Sequence, residues 1–526
     1  MDFLRRATGL FKNIESRLDS YNEKAFRRFV LLVYILFAAA NIITHEMWRD
    51  ELQPWTIAAS SNSLSELFFN IRYEGHPPLW YLMLYALSRV TQSFAAMQAL
   101  HLAIALAVAY VFLRFAPFTR LQRLLFVFGY FPLYEYAAIS RGYAIGILLL
   151  FCLCVVMQKG GRWKYIACGV ILFLLSFTTV YGFIITIAFF TVFVLKYAAD
   201  SEMRIHKWQM ALCAIMVPAG LFVSAYITIP KEQTRYKPSV TGFNKERAQK
   251  ALANPWRAFC PIPQQEITFW NSNIVRNKVL LAILGPLVLC LSFLLLTHNR
   301  DVLLLFFISV FLMIGFQYSK YPGSMRHFGH YYMMLIACLW LCTFYGSQWQ
   351  PAKLLRGVAD AGPKIAPGFL GLLLTVQAVA GIEASVMEWR FPFSQSKNTA
   401  AYLVTNGFAG LPMIGDKDSM TSSVAMRMHR NIYYPAVDSM GSFVLFGAHN
   451  FRKTDERMIV EKAREMSDAE HSDVVLILNY QLRQYADRAV KLAQFDNAIV
   501  KDENFYLYLL KYQSQPSQTR PTLLEE

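Results

Sequence analysis

Two stretches of this chain carry residue types that can do chemistry. The first is His45-Glu46-Met47-Trp48-Arg49-Asp50-Glu51, an acidic pair just past an apolar run. The second is Arg72-Tyr73-Glu74-Gly75-His76-Pro77-Pro78-Leu79-Trp80-Tyr81, where a rigid His-Pro-Pro turn opens an apolar segment. Proline is tolerated at the first position of a helix, so Pro77-Pro78 fits a helix start. A carboxylate at a membrane interface can take the proton of a sugar or other hydroxyl. The plainer reading is that Asp50 and Glu51 only begin an interfacial helix, where acids favour the N-terminal end of the dipole. Two further turns are cationic: Ser140-Arg141-Gly142-Tyr143, and Lys320-Tyr321-Pro322-Gly323-Ser324-Met325-Arg326-His327. Arginine grips a phosphate bidentately and lysine meets it as a point charge. Lipid headgroup anchoring is the alternative for any such residue. His76 and His327 can bind sugar or phosphate, whereas His101 and His330 read as packing histidines. Tyr181, Trp55, Trp80 and Trp256 could stack on a sugar, but interfacial aromatics are usually belt residues.

The elements that must hold these residues are membrane helices. The chain has 526 residues, 55% hydrophobic and 16% charged. Soluble domains carry about 25% charged residues. Mean hydropathy is +0.32. A soluble enzyme, a disordered chain and a collagen-like chain are excluded. Apolar runs near the ~20 residues of a spanning helix lie at 29–45, 93–113, 123–139, 142–158, 164–178, 181–197, 208–229, 277–297, 301–318, 330–346 and 366–383. The net charge of +16 is concentrated in loops beside these runs, as the positive-inside rule requires. Nucleic acid is therefore not the implied partner. Placing the basic N-terminus inside, with Arg114–Arg123, Lys159–Lys164, Lys196–Lys207, Arg300 and Lys353–Lys364, makes the alternate loops external. Segment 77–90 then dips into the membrane without crossing it; a full crossing would shift the count by one. Arg141 and Arg326 fall on the external side, against the charge trend.

This topology divides the chain into a basic cytoplasmic N-terminus (1–28), a transmembrane domain (29–383) with external loops 46–92 and 230–276, and an external soluble domain (384–526). The second loop is itself basic, with Lys231, Arg235, Lys237, Lys245, Arg247, Lys250 and Arg257. The soluble domain reads as mixed α/β. Helices are expected at Lys397–Thr405, Thr454–Met466 and Gln481–Leu492. Strands are expected at Leu411–Gly415 and Val474–Leu478, with an edge strand at Phe505–Leu510. The eight cysteines imply neither a disulfide framework nor a metal knuckle. Away from the ends of the spans, only His101 and Glu135 bring a histidine or a charged side chain into them. Transporters and pumps keep such groups near the midplane, so the residues point to a reaction at the surface rather than a path through it.

Arg49-Asp50-Glu51 followed by Gly75-His76-Pro77-Pro78-Leu79-Trp80-Tyr81 resembles the first external loop of the GT-C glycosyltransferases. These include the protein O-mannosyltransferases and the lipid A aminoarabinose transferase. Tyr136–Tyr143 and Thr178–Phe183 are similar to the next external turns of that family. The resemblance covers about residues 29–200 and is architectural beyond. It implies a polytopic α-helical membrane protein of about eleven spans with a C-terminal external α/β domain. It implies a polyprenyl-phosphate-linked sugar donor and an acceptor hydroxyl on a glycolipid, glycan or protein. Asp50 corresponds to the family's base, and Glu51, Glu74, His76, Arg141, Tyr143, Tyr181, Lys320, Arg326 and His327 would line the substrate site. No DxD pattern is present in the loop, so a metal-independent transfer without a cofactor is expected, and one carboxylate base with no evident second nucleophile implies inversion. The expected location is a bacterial inner membrane, with the C-terminal domain in the periplasm. A transporter or flippase of lipid-linked sugars is the alternative function, and a non-catalytic assembly subunit a weaker third.

Overall fold

The computed structural model describes residues 13–199, 201–230, 234–235, 242–345, 353–447 and 451–513. Lys231, Lys237 and the start of the basic N-terminus lie outside them. In chain order the α-helices of eight or more residues are α1 (Glu23–Thr44), α2 (Arg49–Ser60), α3 (Leu79–Ser88), α4 (Phe94–Phe115), α5 (Arg120–Val127), α6 (Tyr143–Lys159), α7 (Lys164–Ser176), α8 (Val180–Ala199) and α9 (Lys207–Thr228). They continue as α10 (Lys245–Phe259), α11 (Lys278–Leu296), α12 (Arg300–Ser319), α13 (Met325–Cys342), α14 (Lys353–Arg390), α15 (Ser396–Thr405), α16 (Asp418–Arg427) and α17 (Glu456–Glu470). The described residues form two compact units.

The first unit holds α1, α3–α13 and α14, and is a helical membrane domain. Among the described residues, seven helices are long and apolar enough to cross a bilayer: α1, α4, α8, α9, α11, α12 and the Ile365–Arg390 part of α14. Their apolar sequences suit a solvent that cannot satisfy backbone groups, so each helix closes its own hydrogen bonds. Polar caps set the ends. Asn22 Oδ1 accepts from Lys24 N–H and Ala25 N–H at the start of α1, and Asn277 Oδ1 does the same for α11. The last apolar helix continues to Arg390, past the expected end at 383. The ten residues of α3 rise about 15 Å, half the ~30 Å hydrocarbon thickness. All eight cysteines are free.

One expected span is not a single helix. Segment 123–139 breaks into α5 and a π-helical turn, Tyr130–Glu135. Pro132 has no N–H to give and clashes with the preceding turn. Two carbonyls at the break accept from α1: Tyr34 Oη donates to Pro132 O at 2.7 Å and Asn41 Nδ2 to Leu133 O at 3.2 Å. Gly381 of α14 lies against the break so closely that a Cβ there would strike the Phe128 carbonyl. Packing, not hydropathy, ends the helix.

The second unit comprises Trp48–Thr56, Phe393–Val444 and the described residues from 451 on. It is an α/β domain. Its strands are β1 (Met413–Gly415), β2 (Ile432–Tyr434), β3 (Ser439–Gly441), β4 (Val474–Leu478), β5 (Val490–Phe495) and β6 (Phe505–Leu510). The sheet order is β3-β2-β1-β4-β6-β5. β1 is parallel to both β2 and β4, with Met413 opposite Val475 and Ile414 opposite Leu476. β4 is wholly buried, and its side chains alternate between two cores. Val475 and Ile477 join Leu403 of α15 and Val424 of α16 on one face. Val474, Leu476 and Leu478 join Ile459, Val460 and Ala463 of α17 on the other.

Two expectations for this domain fail. Residues 481–492 are not a helix: Arg483 N–H and Gln484 N–H both donate to Glu456 Oε2, and the chain then enters β5. Phe505–Leu510 is not an edge strand, because β5 pairs outside it from Val490↔Leu509 to Phe495↔Phe505. The helix expected from Thr454 is capped instead by Asp455, whose Oδ1 accepts from Met458 N–H at 2.8 Å.

Candidate functional site

In the first unit, turns far apart in sequence converge. The His-Pro-Pro turn is tied to the turn after α7 by Leu79 N–H donating to Phe177 O at 3.0 Å. Gly142 sits against both, and a Cβ there would press on Trp80 and on the Thr178 carbonyl. The bend before α13 needs Gly323 in the left-handed region, φ 86°, which an L side chain resists.

The convergence brings five of the expected residues into one cluster. Arg141 is buried to 7% exposure, and its Nη2 lies 3.2 Å from His76 Nε2. His327 is fixed at both ring nitrogens. Ser324 N–H donates to Nδ1 at 2.9 Å, which leaves the proton on Nε2, 2.9 Å from Tyr143 Oη. Tyr181 stacks on His327 and His330, with centroids 5.4 and 4.7 Å away. Its hydroxyl accepts from Gln317 Nε2 at 3.0 Å. The Tyr321 ring stands edge-on to His327 at 5.3 Å. Tyr181 thus orders the histidines from a buried position.

Glu74 is buried and accepts from Tyr81 Oη at 2.7 Å. Lys320 is exposed at the end of α12. Arg326, one residue from His327, lies against Trp270, its Cζ 5.6 Å from the ring centroid. Of the second-loop cations, Arg235 Nε donates to Gly447 O and Arg247 Nη1 to Tyr318 O and Ser319 O. These arginines brace the loop. Trp55 and Trp80 are buried, and Trp80 packs edge-on to His101 at 6.0 Å.

Asp50 and Glu51 belong to the second unit, on the first turn of α2. Arg49 moors that turn. Its Nη2 lies 2.7 Å from Asp502 Oδ2, and its Nη1 and backbone N–H donate to Glu503 Oε1 at 3.3 Å. Glu503 Oε2 accepts from Ser394 Oγ at 2.7 Å and Ser423 Oγ at 2.9 Å. Burial pushes the Glu503 carboxyl above its ordinary range, although Arg49 and the two serines pull it back. Burial works against the Arg49 charge too, yet Glu503 and Asp502 overcome it and hold the guanidinium above its ordinary value. One turn on, Gln53 clasps Val444 at both ends, donating to its carbonyl at 2.7 Å and accepting from its N–H at 2.9 Å. Asp50 is half-buried and its charge acts on Arg49. Glu51 is fully buried, and its Oε2 faces the Trp48 N–H at 3.4 Å.

The sequence reading missed Gln317, which joins Tyr181, Tyr331 and Asn254 in one hydrogen-bonded group. It left Glu135 and Trp270 without a role. A lone Gln or Trp in an apolar stretch carries no spacing signal; only the isolated charge of Glu135 did. Among the described residues, no group of three or more His, Cys, Asp or Glu side chains is arranged to hold a metal ion.

No family model matches the chain, and no curated protein matches it. Six chains of solved structures do. One is ArnT from Cupriavidus metallidurans bound to undecaprenyl phosphate, at 10% identity and a TM-score of 0.48 over 91% of this chain and 97% of that one. Another is the same protein in the apo state, at 11% identity and a TM-score of 0.48 over the same shares. The chain is similar to these proteins across nearly its whole length. It is itself a polytopic helical membrane protein with a C-terminal α/β domain.

Proposed function

We propose that this protein is a membrane glycosyltransferase that moves a sugar from a polyprenyl-phosphate donor to a hydroxyl of a glycolipid, glycan or protein. The observation that supports it most is the buried Arg141 guanidinium held against His76, beside Tyr143 and His327, where turns of the membrane unit converge. A buried cation among hydrogen-bonding rings suits a lipid phosphate that gains charge as it leaves. Asp50 accepts the proton of the acceptor hydroxyl. The freed oxygen attacks the anomeric carbon, the bond from that carbon to the phosphate oxygen breaks, and polyprenyl phosphate departs with the electron pair. One displacement inverts the centre. Arg141, His76, Lys320 and Arg326 meet the phosphate. Glu51 and Glu74 belong to the substrate-facing shell, and Tyr143, Tyr181 and His327 order it. The N-terminus is cytoplasmic and the reaction faces the periplasm of a bacterial inner membrane.

The test is transfer of radiolabelled sugar from a panel of polyprenyl-phosphate sugars in purified membranes, with wild type beside Asp50→Asn. Label reaching an acceptor in wild type only supports both the class and the base. Normal turnover by Asp50→Asn would remove Asp50 as the base. Lipid-linked sugar crossing sealed vesicles with no covalent product would replace the transferase by a flippase.

A further inference from the structure

Glu135 is a buried ionisable residue that the proposed chemistry leaves unused. It closes the π-helical turn Tyr130–Glu135 and is 2% exposed. Its Oε2 accepts from Trp270 Nε1–H at 3.1 Å and Tyr130 O–H at 3.0 Å. Its Oε1 is buried and has no hydrogen-bond partner among the described residues. A carboxylate can accept at both oxygens, and buried polar atoms are nearly always satisfied. An acceptor held in this way is made for a donor that arrives. Single π-helical turns inside helical segments recur at functional sites.

The surroundings are built from three elements. Asn271, itself in the left-handed region at φ 64°, fixes the loop that carries Trp270 by accepting from Met325 N–H at 2.9 Å. The first turn of α13 brings Arg326 over the Trp270 ring, and the Arg326 charge acts on Glu135. Tyr136 Oη donates to Arg326 O at 2.8 Å and locks that turn. His327 follows Arg326 directly, so this corner adjoins the cluster of Arg141, His76 and Tyr143.

We propose that Glu135 and Trp270, with Arg326 shared between the phosphate and the sugar, form a subsite for a hydroxyl of a neutral sugar on the lipid-linked donor. Trp270 joins the two groups, its Nε1–H donating to Glu135 and its ring facing the Arg326 guanidinium. An ammonium group would meet the guanidinium, and a second anion would meet the carboxylate. An uncharged hydroxyl can give its proton to Oε1 and accept from the guanidinium. The indole lends an apolar wall of the kind that sugar C–H faces prefer. The subsite's position beside the cationic cluster follows the order of the ligand, phosphate first and sugar next. The inference rests on the transferase reading above and adds the chemical class of the donor sugar.

The experiment compares binding of three probes to purified protein in detergent: undecaprenyl phosphate, undecaprenyl phosphate carrying a neutral hexose, and the same lipid carrying an aminopentose. Wild type, Glu135→Gln and Trp270→Phe are measured side by side. Wild type should favour the hexosyl lipid over the bare lipid. Glu135→Gln should weaken the hexosyl lipid by about tenfold or more, the loss of one hydrogen bond to a charged group, and leave the bare lipid unchanged, which also shows that the variant is folded. Trp270→Phe keeps an apolar ring and removes the N–H, so it should weaken the hexosyl lipid less. Tighter wild-type binding of the aminopentosyl lipid than of the hexosyl lipid would overturn the inference. So would equal hexosyl affinity in wild type and Glu135→Gln. Failure of wild type to bind any of the three lipids would overturn the transferase reading together with it.

Discussion

Replacing Glu503 tests whether the turn bearing Asp50 is moored as described. Glu503 is wholly buried and takes four donors: Arg49 N–H, Arg49 Nη1, Ser394 Oγ and Ser423 Oγ. Glu503→Ala removes all four and leaves Arg49 with Asp502. Breaking a buried pair by deleting one partner costs about 3–5 kcal/mol. The Arg49 side chain keeps 18% exposure and its 2.7 Å contact with Asp502, which places this case at the lower end, about 3 kcal/mol. At about 4 °C per kcal/mol for a domain of this size, melting of the α/β domain should fall by about 12 °C. Glu503→Gln keeps the shape and one acceptor oxygen and should lose about half as much. The two variants also separate by pH. Because burial raises the folded-state pKa of Glu503 above its unfolded value of 4.5, its contribution is fully present below that value and declines as pH rises through the folded-state pKa. Glu503→Gln should lack this decline. The assay is thermal unfolding of purified protein, followed by a probe in the α/β domain, from pH 4 to 8. A Glu503→Ala midpoint within about 2 °C of wild type would refute the mooring.

Other substitutions test the remaining elements. Arg141→Lys keeps a charge but loses the planar fork that faces His76; donor KM should rise by about tenfold, read by radiolabel transfer, and an unchanged KM would remove Arg141 from the phosphate site. Gly285 packs so tightly on α10 that a Cβ would collide with the Leu252 carbonyl, so Gly285→Ala should lower the thermal midpoint in detergent and the yield of folded protein. Asp455→Ala deletes the N-cap of α17 and should cost about 1 kcal/mol, read as a midpoint shift of about 4 °C in the α/β domain with transfer activity retained.

Much of the molecule is legible in its sequence because the bilayer is an unforgiving solvent. Long apolar runs must close their own backbone hydrogen bonds, so hydropathy alone located seven of the crossing helices. Proline geometry located the start of α3, and Val474–Leu478 declared itself by an unbroken apolar run, the mark of a strand buried on both faces. Arg141, His76, Tyr143, Tyr181 and His327 could be named from the sequence as candidates, but only the fold brings them into one cluster. What the sequence could not carry was decided by partners distant along the chain. Residues 123–139 are apolar enough for a span, but α1 supplies the side-chain donors that make a break at Pro132 tolerable. Residues 481–492 have helical periodicity, but Glu456 captures their backbone N–H groups first. Phe505–Leu510 looked like an edge until β5 covered it. Glu135 drew notice as a lone charge, yet its surroundings needed Trp270 and Arg326 from two other elements. Solvent preference is a property of each residue and is written locally, whereas a hydrogen-bond partner is a property of the pair and exists only once the chain has folded.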